Sequence, residues 1–336
     1  MGWDRIRGHA AAREQLFTAH RRGRLAHAYL FAGPPGVGKN LFAVEFAKAL
    51  LCEHPPAPLT ACDHCPACAQ VVAGTHPDFF TARKPEDKHE LPIDVVREFC
   101  SHLGLKPARG PHKIGVVEDA DDFNEESANC FLKTLEEPPA GALLILLATG
   151  TERQLPTILS RAQVVRFHPL KPDDLRAVLA DHEVTDPPRV DQLVRLAGGS
   201  PGQALALNDD ALWAFRETLV GAVTAQRPDP VGFAAEWMRF VEEAGKESAA
   251  QRQRASLVIR LLTDLLHAAV RTALGADADG TPDAVRGFAL RTGADHLADL
   301  MEACSEADYL IERKVQLVLV IESLVDKLFR PAPAGV

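Results

Sequence analysis

The sequence predicts a doubly wound parallel α/β sheet built around a phosphate-binding loop, with a small helical segment and a longer all-helical region behind it. Three observations carry this prediction: a Gly-x4-Gly-Lys loop between an apolar run and a helical pattern, short apolar runs recurring at βαβ spacing, and the loss of strand signals after about residue 208.

The first strand is predicted over Ala28 to Ala32 and the following helix over Leu41 to Leu51. Between them run Gly33, Pro34, Pro35, Gly36, Val37, Gly38, Lys39 and Asn40. Glycines let successive N–H groups face a phosphate, the helix N-terminus adds partial positive charge, and Lys39 adds a full one. The next residue of such a loop ordinarily gives Mg²⁺ a Ser or Thr hydroxyl, and here it is the neutral amide Asn40. Phosphate binding is compatible with that pattern, whereas metal-assisted hydrolysis is impaired; an occupied and an empty loop both fit.

Four of the seven cysteines follow as Cys52-x9-Cys62-x2-Cys65-x2-Cys68, across a turn-rich stretch from His54 to Pro66. Four thiolates in one short excursion fit a closed tetrahedral Zn²⁺ site. An iron–sulfur cluster would call for a further Cys after an x3 spacing and then Pro, and Ala69 to Val72 contain none. The remaining Cys100, Cys130 and Cys304 sit in apolar helical contexts and read as core residues.

Further strands are predicted at Phe79 to Thr81, Lys113 to Val117, Leu143 to Ala148 and Val164 to Phe167, with helices over Ile93 to Leu103 and Ser127 to Leu135, the latter stopped by Pro138-Pro139. Glu118 and Asp119 stand at the carboxyl end of the third strand, where a metal-binding or water-orienting acidic pair belongs, although a solvated loop pair also fits. The order is inverted relative to the usual Asp-Glu, and a shorter second acid holds an attacking water less well.

Composition is that of an ordinary globular protein, 46% hydrophobic and 25% charged over 336 residues, sufficient for two or three domains. A net charge of −9 argues against a chain-wide basic surface for nucleic acid. No apolar run approaches bilayer length and Met1 to Arg5 carry no signal-peptide core, so a cytoplasmic, non-membrane protein is expected. Seven cysteines are then more naturally metal ligands and core residues than disulfides.

These residues carry a resemblance to the AAA+ clamp-loader family of bacterial DNA polymerase III. The matching segments are Leu25 to Phe31 leading into the loop, the four-cysteine insertion, His76-Pro77-Asp78, Ser127-Ala128-Asn129 with Leu132 to Pro139, and Leu155 to Arg161. The resemblance implies an AAA+ sheet domain over residues 1–169 with a zinc insertion at 52–68, a helical lid over 170–208 and an all-α collar over 209–336. It implies that Arg161 is an arginine finger reaching the ATP of a neighbouring subunit, a role suited to a permanently charged planar group. Ala162 stands where the family has Cys. In the lid the motor subunits' Gly-Ser-x-Arg reads Gly199-Ser200-Pro201-Gly202-Gln203, so no guanidinium faces the chain's own nucleotide, and Thr149 or Gly150 takes the polar sensor position.

Asn40, the inverted Glu118-Asp119 and Gly202 coincide as three catalytic losses. Together they favour a non-hydrolysing stator over an ATPase motor of gamma/tau type, which would need all three groups. The partners implied are the gamma/tau motor subunits and the delta subunit, with the sliding clamp and primer-template DNA reached through the complex. Structural zinc is the expected metal, with ATP and Mg²⁺ weak or absent. A zinc-dependent nucleic-acid binder fits less well, since four thiolates leave no open metal position and no basic, aromatic-interleaved segment accompanies them. Beyond residue 208, interruptions at Arg227 to Pro230 and Gly275 to Gly280 separate helices, with strongly apolar ones over Leu257 to Val270 and Val315 to Leu328 and a short Pro-Ala tail from Pro331.

Overall fold

The structure is a computed structural model that describes residues 2–85, 88–246, 248–276 and 282–330. The tail from Pro331 and positions 277–280 of the expected interruption lie outside the described residues. The chain forms two compact units, Met1–Ala204 and Leu205–Val336.

In the first unit five strands, β1 (Ala28–Ala32), β2 (Phe79–Ala82), β3 (Lys113–Val117), β4 (Ala142–Ala148) and β5 (Gln163–Arg166), form one parallel sheet in the order β2-β3-β4-β1-β5. Around it lie α1 (Ala10–Arg21), α2 (Lys39–Leu51), α3 (Pro66–Val72), α4 (Ile93–Gly104), α5 (Glu125–Glu136) and the single turn α6 (Pro156–Leu159). After the sheet come α7 (Pro172–Asp181), α8 (Pro187–Leu196) and α9 (Pro201–Leu207). β1 and β4 are apolar and buried at every position because the sheet is covered on both faces. Alternate residues divide between two cores. Tyr29, Phe31, Ile145 and Leu147 join Phe42 and Phe46 of α2 on one face, while Leu30, Leu144 and Leu146 join Phe99 of α4 and Phe131 of α5 on the other. Phe167, expected in the last strand, lies just past β5, although its N–H still donates to Ala32 O at 2.8 Å.

Local chemistry sets the ends. α5 opens with a reciprocal cap in which Asn124 Oδ1 accepts from Ser127 N and Ser127 Oγ accepts from Asn124 N, both at 2.9 Å, and it stops ahead of Pro138. The fully buried Asp78 accepts from Ala108 N at 2.7 Å, Arg109 N at 2.6 Å and Lys113 Nζ at 3.3 Å, so His76-Pro77-Asp78 serves here to fix the approach to β3.

The second unit contains α10 (Asp210–Thr224), α11 (Pro230–Glu242), α12 (Ser248–Ala273), α13 (Asp283–Thr292), α14 (Ala294–Glu312) and α15 (Leu317–Phe329). α12 begins nine residues before the apolar stretch that announces it, because Arg252 on its first turns donates to the carbonyls of Ile311, Lys314 and Val315 at 2.9–3.2 Å and so closes the end of α14. That turn passes through Lys314 at φ 57°, which delays the start of α15 to Leu317. Cys304 is buried as expected, but Cys100 and Cys130 are only half-buried, since α4 and α5 each present them at the margin of the core.

Candidate functional site

The phosphate loop leaves β1 with Gly33 N donating to Ala148 O at 3.1 Å and enters α2 at Lys39. Gly36 (φ 71°) and Gly38 (φ 102°) occupy left-handed conformations that any Cβ would strain. Every carbonyl from Gly33 to Val37 is engaged. Lys39 Nζ donates to Gly33 O at 2.5 Å and Pro34 O at 2.9 Å, Ser200 Oγ to Pro35 O at 3.0 Å and Gly202 N to Gly36 O at 2.9 Å, and His9 Nε2 bonds Val37 O at 2.8 Å. In a trans peptide the carbonyl and the next N–H point opposite ways. Fixing the last three carbonyls therefore points the N–H groups of Gly36, Val37 and Gly38 away from those partners, which leaves them to serve as donors to an anion.

Burial lowers the Lys39 ammonium from its ordinary value, opposed by the charge of Asp121. The His9 imidazole is likewise lowered by burial, which favours the neutral ring. Asn40 is exposed at the second position of α2.

The acids after β3 divide in a way the sequence did not reveal. Glu118 pairs with Arg83 at 3.1 Å, and Asp119 accepts from Lys84 N at 2.8 Å, so the predicted pair is tied to the segment that follows β2. Lys84 Nζ also reaches Asp122. Asp121 instead accepts from Thr149 N at 2.6 Å and Gln154 Nε2 at 2.7 Å and is the acid whose charge reaches Lys39. The expected sensor Thr149 thus enters the site through its backbone. The signal available for Asp121 was only a third acid two positions past the pair.

In the lid segment, Gly202 is the position without the arginine, and its smallness has a use: a Cβ there would meet Gly36 Cα at 3.0 Å. Ser200 is equally close, since a Cβ on Gly36 would lie 2.5 Å from its Oγ. Ser200 and His9, neither anticipated as loop partners, bracket the loop from opposite ends of the unit's sequence.

Cys52, Cys62, Cys65 and Cys68 come together with all four sulfurs within 4.8 Å of one another. The Cys52–Cys65 and Cys62–Cys68 separations are 4.0 and 3.9 Å, close to the edge of about 3.8 Å in a tetrahedron with Zn–S of about 2.3 Å. Cys62 N, Cys65 N and Cys68 N donate to the sulfurs of Cys52, Cys62 and Cys65 at 3.3–3.4 Å, bonds that favour thiolate. Burial would raise the Cys65 thiol, but the N–H groups of Cys68 and Glu53 outweigh it and bring it down to about 6. The donor set and its spacing fit a soft divalent metal. The cluster is anchored to α2 by the buried Lys48, 2.6 Å from both Glu45 and Asp63, and to the amino terminus by Gly2 N donating to Asp63 and Trp3 Nε1 to Leu59 O.

Arg161 follows α6. Its guanidinium pairs with Glu136 at 2.7 Å and donates to Ser160 Oγ at 2.9 Å and Thr157 O at 3.1 Å, leaving the side chain 35% exposed. Ala162, the next residue, is buried in the core. The phosphate loop and Arg161 lie on separate segments of the unit, and among the described residues no hydrogen bond or ion pair joins them.

A parallel sheet in the order β2-β3-β4-β1-β5, a phosphate loop between β1 and α2, acids after β3 and helices beyond β5 define a P-loop protein of the AAA+ type. A family described as "DNA polymerase III, delta subunit" matches residues 8–171. The chain is 34% identical over 240 residues to DNA polymerase III subunit delta′ of Escherichia coli K12, covering 71% of this chain and 70% of that protein. It is 35% identical over 204 residues to the delta′ subunit of Pseudomonas aeruginosa, covering 60% and 62%. The tau subunit of Salmonella typhimurium is 33% identical over 195 residues, covering 56% of this chain and 30% of tau. The chain belongs to the DNA polymerase III delta′ family. Among the described residues no helix is long and apolar enough to cross a membrane.

Proposed function

We propose that the chain is the stator of a DNA polymerase III clamp loader, a subunit that does not hydrolyse ATP itself and lends Arg161 to the ATP site of a neighbouring gamma/tau motor subunit. The observation that carries this reading is the state of Arg161: a permanently charged fork, held by Glu136, Ser160 and Thr157 yet one-third exposed, on a chain whose own loop has Asn40 in place of a metal-binding hydroxyl. Such a guanidinium neutralises charge spread over a transferring phosphoryl group. Glu118 and Asp119, engaged with Arg83 and Lys84, and Gly202, lacking a guanidinium, add to the case against hydrolysis in cis.

Residues 1–169 would then act as the AAA+ body with its metal insertion at 52–68, 170–208 as a lid, and 209–336 as a collar toward the motor and delta subunits. Clamp and primer-template DNA would be met through the complex, in the cytoplasm. Zinc suits the four thiolates best, as a structural ion that ties the insertion together. The loop from Gly33 to Asn40, with Lys39 in place, would hold at most a weakly bound nucleotide without a metal requirement.

The test is Arg161→Ala in a reconstituted complex. DNA- and clamp-stimulated hydrolysis should fall in part, because one interface among several is affected, while assembly is retained. Arg161→Lys should rescue poorly, since a point charge lacks the planar fork. Undiminished hydrolysis and clamp loading with Arg161→Ala would leave the chain a scaffold only.

A further inference from the structure

We propose that Asp121 is the positioning residue for the arginine segment, an inference that rests on the trans role given to Arg161. Residues 149–161 leave the carboxyl end of β4, cross to the single turn α6 and end at the guanidinium. A helix of one turn has no stability of its own, so its placement comes from tertiary anchors. Three exist. Asp121 holds the start of the segment through Thr149 N at 2.6 Å and Gln154 Nε2 at 2.7 Å, Ile158 is buried in the core beneath the sheet, and Glu136 holds Arg161 at 2.7 Å.

Gln154 stands just before Leu155, the N-cap of α6, and is only 7% exposed. Its Oε1 has no partner among the described residues, so its amide is held in place through Nε2 and Asp121. The carboxylate therefore joins the end of β3 to the run-in of α6, which the outer pair Glu118 and Asp119, turned toward Arg83 and Lys84, does not.

The experiment uses the full complex. Asp121→Ala should lower the partner's kcat about tenfold with KM for ATP unchanged, as a displaced transition-state group would. Asp121→Asn, whose amide can accept from Thr149 and donate to a rotated Gln154, should stay within about twofold of wild type. In a complex already carrying Arg161→Ala, Asp121→Ala should cost nothing more. An equal loss in that background, or full turnover by Asp121→Ala where Arg161→Ala is impaired, overturns the inference and leaves the arginine role standing. If Arg161→Ala is itself silent, the arginine role fails, and amide exchange of the isolated Asp121→Ala chain decides the rest. Faster exchange confined to residues 149, 155 and 157–161 supports the positioning role, and unchanged exchange there refutes it.

Discussion

Lys48→Met tests how the cysteine module is fastened to the helix that carries the phosphate loop. The Lys48 and Glu45 side chains are 4% and 3% exposed, and the ammonium bridges Glu45 and Asp63 at 2.6 Å each. Asp63 is 20% exposed and keeps the Gly2 N–H at 2.6 Å, so most of the cost falls on Glu45, left charged in a buried site. Breaking such a pair from one side costs about 3–5 kcal/mol. For a unit of this size that is about 6–20 °C in melting temperature.

Adding Glu45→Gln should recover most of the loss, because the buried charge goes with it. Thermal and urea unfolding at pH 7 measure this. A Lys48→Met chain that melts within about 2 °C of the parent, or one that Glu45→Gln leaves just as unstable, would refute the reasoning.

Protein purified without chelator should carry about one zinc per chain by metal analysis, and Cys65→Ser should release it and lower stability without loss of the sheet, read by circular dichroism; iron with sulfide would contradict this. Burial opposes ionisation of Asp78, but the N–H groups of Ala108 and Arg109 and the charge of Lys113 hold its carboxyl below the ordinary range. Its stabilisation is therefore present above about pH 4 and lost as pH falls through the folded value, and Asp78→Asn should remove that acid limb from the stability profile while costing about 1–3 kcal/mol at pH 7. Lys39→Ala should leave hydrolysis by the reconstituted complex within about twofold, and a large fall with assembly intact would give the loop a catalytic duty.

β1, β3 and β4 were legible because parallel strands buried on both faces leave nearly unbroken apolar runs, Leu143 to Ala148 above all. The four cysteines were legible as a set because the two x2 spacings keep Cys62, Cys65 and Cys68 within one short excursion, which Cys52 joins in the fold. Asp121 was not, because an acid pair at a strand end draws attention to Glu118 and Asp119, and which carboxylate turns inward depends on Arg83, Lys84 and Gln154, more than thirty residues distant in either direction. Ser200 and His9 were hidden for the same reason: their hydrogen bonds to the loop cross gaps of 165 and 28 residues. Gly202 was read as a missing arginine, while its N–H and its small size are what bring the lid segment onto Gly36.

The tethered carbonyls of Gly33 to Val37 have a consequence for how this subunit behaves through a reaction cycle. A flexible phosphate loop that orders when its ligand arrives does so at a cost of about 1–2 kcal/mol for each residue fixed. Here the ordering is already done by Ser200, Gly202, His9 and Lys39. A phosphate could arrive or depart with little beyond the Lys39 ammonium left to rearrange, so the subunit would hold one shape whatever its loop contains, and a neighbouring motor would push against a part that does not answer back.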